Sequence, residues 1–207
     1  KHAPSTMGCG IMAARICAMS GIPPGLVTDL RVGVGVVADI IADDGISAVT
    51  FTGSTVGGSA VAALAGKAVK KCVMELGGSD PYIICEDANM EVAVEMCVDG
   101  RTLNSGQSCI AAKRYLVHES VLEEFASRIA RRFDDMVVGD PMDAATEIGP
   151  LARADLRDAL REQVERACTH GARIGTQRSL EDVPEQGHYI RPAILLDVTP
   201  TNPVFSE

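Results

Sequence analysis

Short apolar runs alternate along this chain with segments whose apolar residues recur every three to four positions. That alternation limits the fold more than any other feature. Strands linked by crossover helices build parallel sheets, so the pattern predicts an α/β fold. Thr6 to Met19, rich in Ala, Met and Ile, reads as a helix that Gly21-Ile22-Pro23-Pro24-Gly25 stops. Leu26 to Val32 is expected as a strand and Val36 to Ala42 as a short helix. Ile46 to Phe51 reads as a buried strand, followed by a Gly-Ser turn, an Ala-rich helix through about Val69, and a strand over Lys71 to Met74.

The pattern restarts after Gly78. Pro81 to Cys85 reads as a strand, Ala88 to Leu103 as a helix and Arg114 to Val117 as a strand. Leu122, Phe125, Ile129, Phe133 and Met136 recur at helical spacing, as do Leu156, Leu160, Val164 and Ala167. Gly139 to Pro150 is expected to be an ordered surface loop. A domain boundary is expected near Gly77-Gly78, dividing the chain into 1–78 and 79–207.

With 207 residues the chain is long enough for one large domain or parts of two. It has no apolar run of membrane-spanning length. The net charge of −9 is spread rather than blocked, and there is no Trp, which argues against a nucleic-acid surface. Seven cysteines make an odd number without a CxxC pair; with no secretory signal pattern they predict reduced thiols and a cytoplasmic protein, not a disulfide frame or zinc site. His2, His118, His170 and His188 lie at no metal-ligand spacing and read as surface or local structural residues. Arg153 to Arg166 reads as a solvated helix face. The opening Lys1-His2-Ala3-Pro4 and the ending Phe205-Ser206-Glu207 both look cut, so an internal fragment of a longer protein is expected.

Three segments carry candidate chemistry. Cys109 follows a Gly-Gln-Ser turn that can expose both a side chain and a backbone N–H, and a thiolate attacks carbonyl carbon well. An ordinary buried cysteine is the alternative. Glu75 ends an apolar strand and is followed by Leu-Gly-Gly; partly desolvated, its pKa would rise toward that of a base able to take a proton from water. A carboxylate near a helix N-terminus, or paired with a lysine such as Lys70 or Lys71, is the alternative. Gly53 and Ser54 stand between a strand and a helix, where backbone N–H groups and the helix dipole can receive a pyrophosphate. A plain Ser N-cap explains the same residues, and the GxGxxG fingerprint is missing.

The three segments, in order and with 34 residues from Glu75 to Cys109, resemble the aldehyde dehydrogenase superfamily. Gly139-Asp140-Pro141 and Ile148-Gly149-Pro150-Leu151 match further landmarks of that family. Within it, Lys1-His2-Ala3-Pro4 and Glu75 to Pro81 look closest to bacterial succinate-semialdehyde dehydrogenases. The resemblance implies part of a Rossmann-like cofactor domain over 1–78 and part of an α/β catalytic domain over 79–207. It implies that Cys109 attacks an aldehyde and that Glu75 activates the water that hydrolyses the resulting thioester. An Asn from an earlier segment would help the Cys109 N–H hold the oxyanion.

Lys1, Gly33, Gly53, Ser54, Leu76 and Gly77 are the implied contacts to NAD or NADP. Pro4 stands where many relatives carry a Glu that repels a 2′-phosphate, so neither cofactor is favoured. Some succinate-semialdehyde dehydrogenases place an Arg for the substrate carboxylate where this chain has Leu103, with Arg101 nearby. The parent is expected to be a homodimer or homotetramer acting on a small aldehyde, and the fragment alone is expected to be inactive. Two other readings stand beside this one. A CoA-acylating relative would resolve the thioester with CoA, against which the water-activating Glu75 argues. A non-catalytic nucleotide-binding or scaffold protein would leave Cys109 structural.

Overall fold

The computed structural model describes residues 1–206. The chain forms two compact units, Lys1–Leu76 and Gly77–Glu207.

The first unit opens with a 3-10 turn, Pro4–Thr6, that leads into α1, Met7–Met19. Gly21, at φ 79°, ends α1 with paired bonds: its N–H donates to the Ala18 carbonyl and that of Ile22 to the Cys17 carbonyl. This left-handed cap satisfies carbonyls that the helix end leaves unbonded. The strand expected at Leu26 to Val32 is absent. That stretch has no regular structure, with Leu26 73% exposed. A strand exists only through a neighbour's hydrogen bonds, and no described segment pairs with this one.

A second 3-10 turn, Val34–Val36, leads into α2, Val37–Ala42. The unit's centre is a parallel βαβ element: β1 (Ala48–Thr52), α3 (Thr55–Lys67) and β2 (Lys71–Glu75), in register from Ala48↔Lys71 to Thr52↔Glu75. α3 buries Gly58 and Ala65. Lys70 Nζ donates to the Ile41 and Asp43 carbonyls at the end of α2, 2.6 and 2.5 Å away.

The second unit repeats the plan. β3 (Pro81–Ile84) and β4 (Arg114–Val117) pair in parallel, joined through α4 (Met90–Thr102). Asn89 caps α4 by accepting from the Val92 N–H. Val94, Cys97 and Val98 of α4 pack against Phe125, Ile129 and Phe133 of α5 (Leu122–Asp135), with Ile84, Met136, Ile148 and Ile194 closing the core. The Tyr115 ring meets Phe125 edge-on, 5.5 Å between centroids, while its hydroxyl donates to the Cys97 carbonyl.

The loop expected at Gly139 to Pro150 is more than surface: its Ile148 is 5% exposed within the core and bridges Val138. α6, Ala154–Thr169, follows, then a two-residue antiparallel pair, β5 (Arg173–Ile174) with β6 (Leu195–Leu196), which periodicity is too short to reveal. Two buried polar side chains close helix ends. Asn202 donates to the Ala167 carbonyl, and Arg191 donates to the carbonyls of Asp134 and Met136. No described helix is long and apolar enough to cross a membrane.

Candidate active site

The second unit carries the thiol. α4 ends at Thr102, and the chain then takes three consecutive residues with positive φ: Asn104 at 53°, Ser105 at 55° and Gly106 at 76°. Glycine occupies this region freely, whereas a non-glycine residue there costs about 1–3 kcal/mol and persists only where the surroundings hold it. Arg101 Nη2 donates to the Gly106 carbonyl and Nη1 to the Ala111 carbonyl, at 3.1 and 3.0 Å. Ser105 Oγ accepts from the Gly149 N–H at 3.0 Å, and Gln107 Oε1 accepts from the Ala152 N–H at 2.9 Å.

Ala111 and Ala112 are buried beyond the turn, yet Cys109 itself is exposed with a free thiol. The fold thus buries the supports and presents the sulfur. Gly78 packs against the same turn: a Cβ at position 78 would lie 2.5 Å from the Cys109 carbonyl oxygen. Only a hydrogen fits there.

Sequence reasoning singled out Cys109 and gave no account of what holds its turn. The Asn-Ser-Gly composition before Gln107 was the available signal, since those residues tolerate left-handed backbone. Arg101 is not a free cation for a substrate carboxylate, because its guanidinium is engaged by two main-chain carbonyls and desolvation lowers its pKa. A groove of about 780 Å³ in this unit lies elsewhere. It is lined by Ile83, Cys85, Asp87, Leu116 and His118 and contains none of the expected site residues. It is the open face of the β3–β4 pair, where the register partners Ile83 and Leu116 are exposed.

The first unit gathers four expected residues at the C-terminal ends of β1 and β2, the edge where open α/β sheets hold ligands. The Gly53 N–H donates to the Glu75 carbonyl at 3.0 Å. Ser54 caps α3, its Oγ accepting from the Gly57 N–H at 3.2 Å. That cap leaves the hydroxyl proton free to be donated elsewhere. The Phe51 ring lies under this turn, 2.7 Å from where a Gly53 Cβ would stand. Leu76 packs on Gly58 of α3.

The carboxylate-bearing residue Glu75 is exposed in this unit, so the partial desolvation expected of it is not supplied by β1, α3 and β2. Lys1 and Gly33 are exposed as well. Lys1 Nζ donates to its neighbour's carbonyl, at His2, and Gly33 is an extended residue before the second 3-10 turn. Gly77, also exposed, begins the second unit.

A sequence model described as the aldehyde dehydrogenase family matches residues 1–207. The chain belongs to that family. The succinate semialdehyde dehydrogenase [NAD(P)+] Sad of Escherichia coli K12 is 43% identical over all 207 residues, which cover 44% of its length. A probable succinate-semialdehyde dehydrogenase [NADP(+)] of Synechocystis is 41% identical, with 45% of its length covered.

Among solved aldehyde dehydrogenases, the succinic semialdehyde dehydrogenase of Streptococcus pyogenes in complex with NADP+ superposes at a TM-score of 0.89 and 31% identity, over 95% of this chain and 43% of that one. Lactaldehyde dehydrogenase from Escherichia coli superposes at 0.83 and 32% identity, over 93% and 40%. The fold is that of the aldehyde dehydrogenases. The chain spans less than half the length of the curated relatives it matches.

Proposed function

We propose that this chain supplies the nucleophile and general base of an NAD(P)-dependent oxidation of an aldehyde to its acid, succinate semialdehyde being the favoured substrate. The observation that carries the reading is the exposed Cys109 thiol on a turn tied through the Gly106 and Ala111 carbonyls and the Ser105 and Gln107 side chains, and packed against Gly78. A nucleophile held this way pays little orientational entropy at the moment of attack.

In the proposed cycle the Cys109 thiolate adds to the aldehyde carbon, giving a thiohemiacetal whose oxyanion accepts from the Cys109 N–H. A bound NAD(P)+, held by Gly53, Ser54 and the start of α3, would supply the hydride acceptor for this carbon. The resulting thioester stays on Cys109. Glu75 takes a proton from water as the water oxygen adds to the thioester carbon; the C–S bond then breaks, releasing the acid and the thiolate. Within the second unit, Gly78 abuts Cys109.

The first unit fits the cofactor's pyrophosphate. α3 begins with N–H groups that a helix leaves unbonded, Ser54 has a hydroxyl proton to donate, and Gly53 has no side chain in the way. Lys1 would meet the adenosine ribose, with Gly33, Leu76 and Gly77 along the same cofactor. Pro4 presents no carboxylate to a 2′-phosphate, so NAD and NADP are both accepted. On this reading residues 1–78 are cofactor-domain sequence and 79–207 catalytic-domain sequence. The succinate-semialdehyde preference rests on the curated relatives named above.

The test uses the full-length parent. Cys109→Ser should abolish aldehyde-dependent NAD(P)H formation. Glu75→Gln should leave a single burst of one NAD(P)H per site followed by stalled turnover. Free acid, not an acyl-CoA, should be the product. A Cys109→Ser enzyme that still turns over, or seven cysteines alkylated at one uniform rate, would sink the proposal. The 207-residue chain by itself should be inactive, and NAD(P)H production by it would refute that part.

A further inference from the structure

We propose that Arg101 is the positioning residue of the nucleophile turn, its guanidinium holding the backbone on both sides of Cys109 so that the sulfur has one orientation. This rests on the reading of Cys109 as nucleophile.

The two donors of Arg101 reach carbonyls that bracket Cys109, Gly106 before it and Ala111 after it. A planar guanidinium fork bridges two acceptors from two separate nitrogens in fixed geometry, whereas a lysine ammonium donates from a single nitrogen. The fork is anchored at its other end. Arg101 stands in the last turn of α4, whose Val98 and Cys97 are 0% and 4% exposed in the core, so the clamp is mounted on a rigid element. Its acceptors are neutral main-chain carbonyls, so this partly buried cation is engaged with the backbone of the turn and not with a carboxylate.

That conformation is the run of left-handed residues from Asn104 to Gly106, closed locally by the Gln107 N–H donating to the Asn104 carbonyl at 3.1 Å and costly for the two non-glycine residues in it. Gly106 serves the clamp twice: its φ of 76° suits glycine, and a Cβ there would come 2.7 Å from Arg101 Nη2. Ser105 and Gln107 tether the turn to the Gly149–Ala152 loop, but neither bond spans Cys109. The Ala111 N–H, donating to the Ser108 carbonyl at 3.1 Å, closes the backbone locally around Cys109, and Arg101 is the side-chain tether that brackets it.

The experiment compares Arg101→Ala and Arg101→Lys in the full-length parent. A misplaced nucleophile predicts that kcat falls about 100-fold in Arg101→Ala while the KM for NAD(P) is unchanged. Free guanidinium ion added to Arg101→Ala should restore much of the rate, and methylammonium should not. Arg101→Lys should behave as the Ala variant does. A purely structural arginine would lower the melting temperature yet leave kcat intact below it, with no guanidinium rescue, and that result overturns the proposal. If Arg101→Ala does not fold, Arg101→Gln replaces it. If neither folds under conditions where the parent does, Arg101 is a folding residue and the proposal fails. Cys109→Ser activity is measured alongside: retained activity there defeats the nucleophile reading, whereas an inactive Cys109→Ser beside a fully active Arg101→Ala defeats only the positioning role.

Discussion

Gly78→Ala is the sharpest perturbation this structure offers. The added methyl would sit 2.5 Å from the Cys109 carbonyl oxygen, whereas ordinary van der Waals contact begins near 3.4 Å. The shortfall is about 0.9 Å, and the opposing atom is main chain that cannot rotate away. Either β3's leading segment or the Cys109 turn must move by most of that distance. The turn is pinned by Arg101, Ser105 and Gln107, so the strain falls on both sides. Overpacking of this kind costs about 1–3 kcal/mol of stability. A displacement near 1 Å at a reacting atom lowers the rate about 100-fold.

The assay is stopped-flow NAD(P)H formation by the full-length parent, read as burst rate and amplitude beside the melting temperature. Gly66→Ala is the control. It lies in α3 with nothing within 4 Å of its would-be Cβ, and it should add about 0.5–1 kcal/mol of stability and leave the burst intact. A Gly78→Ala enzyme whose burst rate stays within about twofold of the parent would refute the packing argument, since a 100-fold loss is what a 1 Å shift predicts.

Ser54→Ala removes the α3 cap and the free hydroxyl together, so stability should fall by about 1 kcal/mol and the KM for NAD(P) should rise, measured by urea unfolding and steady-state kinetics. Asn202→Leu leaves the Ala167 and His170 carbonyls without their buried donor and should cost about 1–3 kcal/mol in the same unfolding assay, with kcat unchanged below the melt. Burial pushes the Cys97 thiol up to about 11 from an ordinary 9.0. Across pH 9 to 11 the unfolded thiol is ionised while the folded one keeps its proton, so the unfolded state binds fewer protons and stability falls as pH rises. Cys97→Ala should lose less stability than the parent between pH 8.5 and about 11, and equal losses in urea midpoints would exclude the thiol as the cause.

Local chemistry explains what could be read in advance. β1, α3 and β2 were legible from Ile46 to Met74 because strand and helix periods are set by neighbours a few residues away. The same holds for β3, α4, β4, α5 and α6. Leu26 to Val32 looked like a strand by the same criterion and is not one, because strand identity belongs to the pair and its pairing partner is not among the described segments. β5 and β6 were invisible for the opposite reason: two residues carry no period, and what makes them strands is a partner some twenty residues distant.

Residue types alone marked Cys109, Glu75, Gly53 and Ser54, since a thiol, a carboxylate and a Gly-Ser helix start each have few chemical uses beside glycine. What tertiary structure decided is how the thiol is held. The left-handed Asn104 and Ser105, the Arg101 bridge, the Ser105–Gly149 bond and the Gly78 approach join residues up to 44 positions apart. Such contacts depend on chain closure over long loops, and no local pattern encodes where those loops bring their ends.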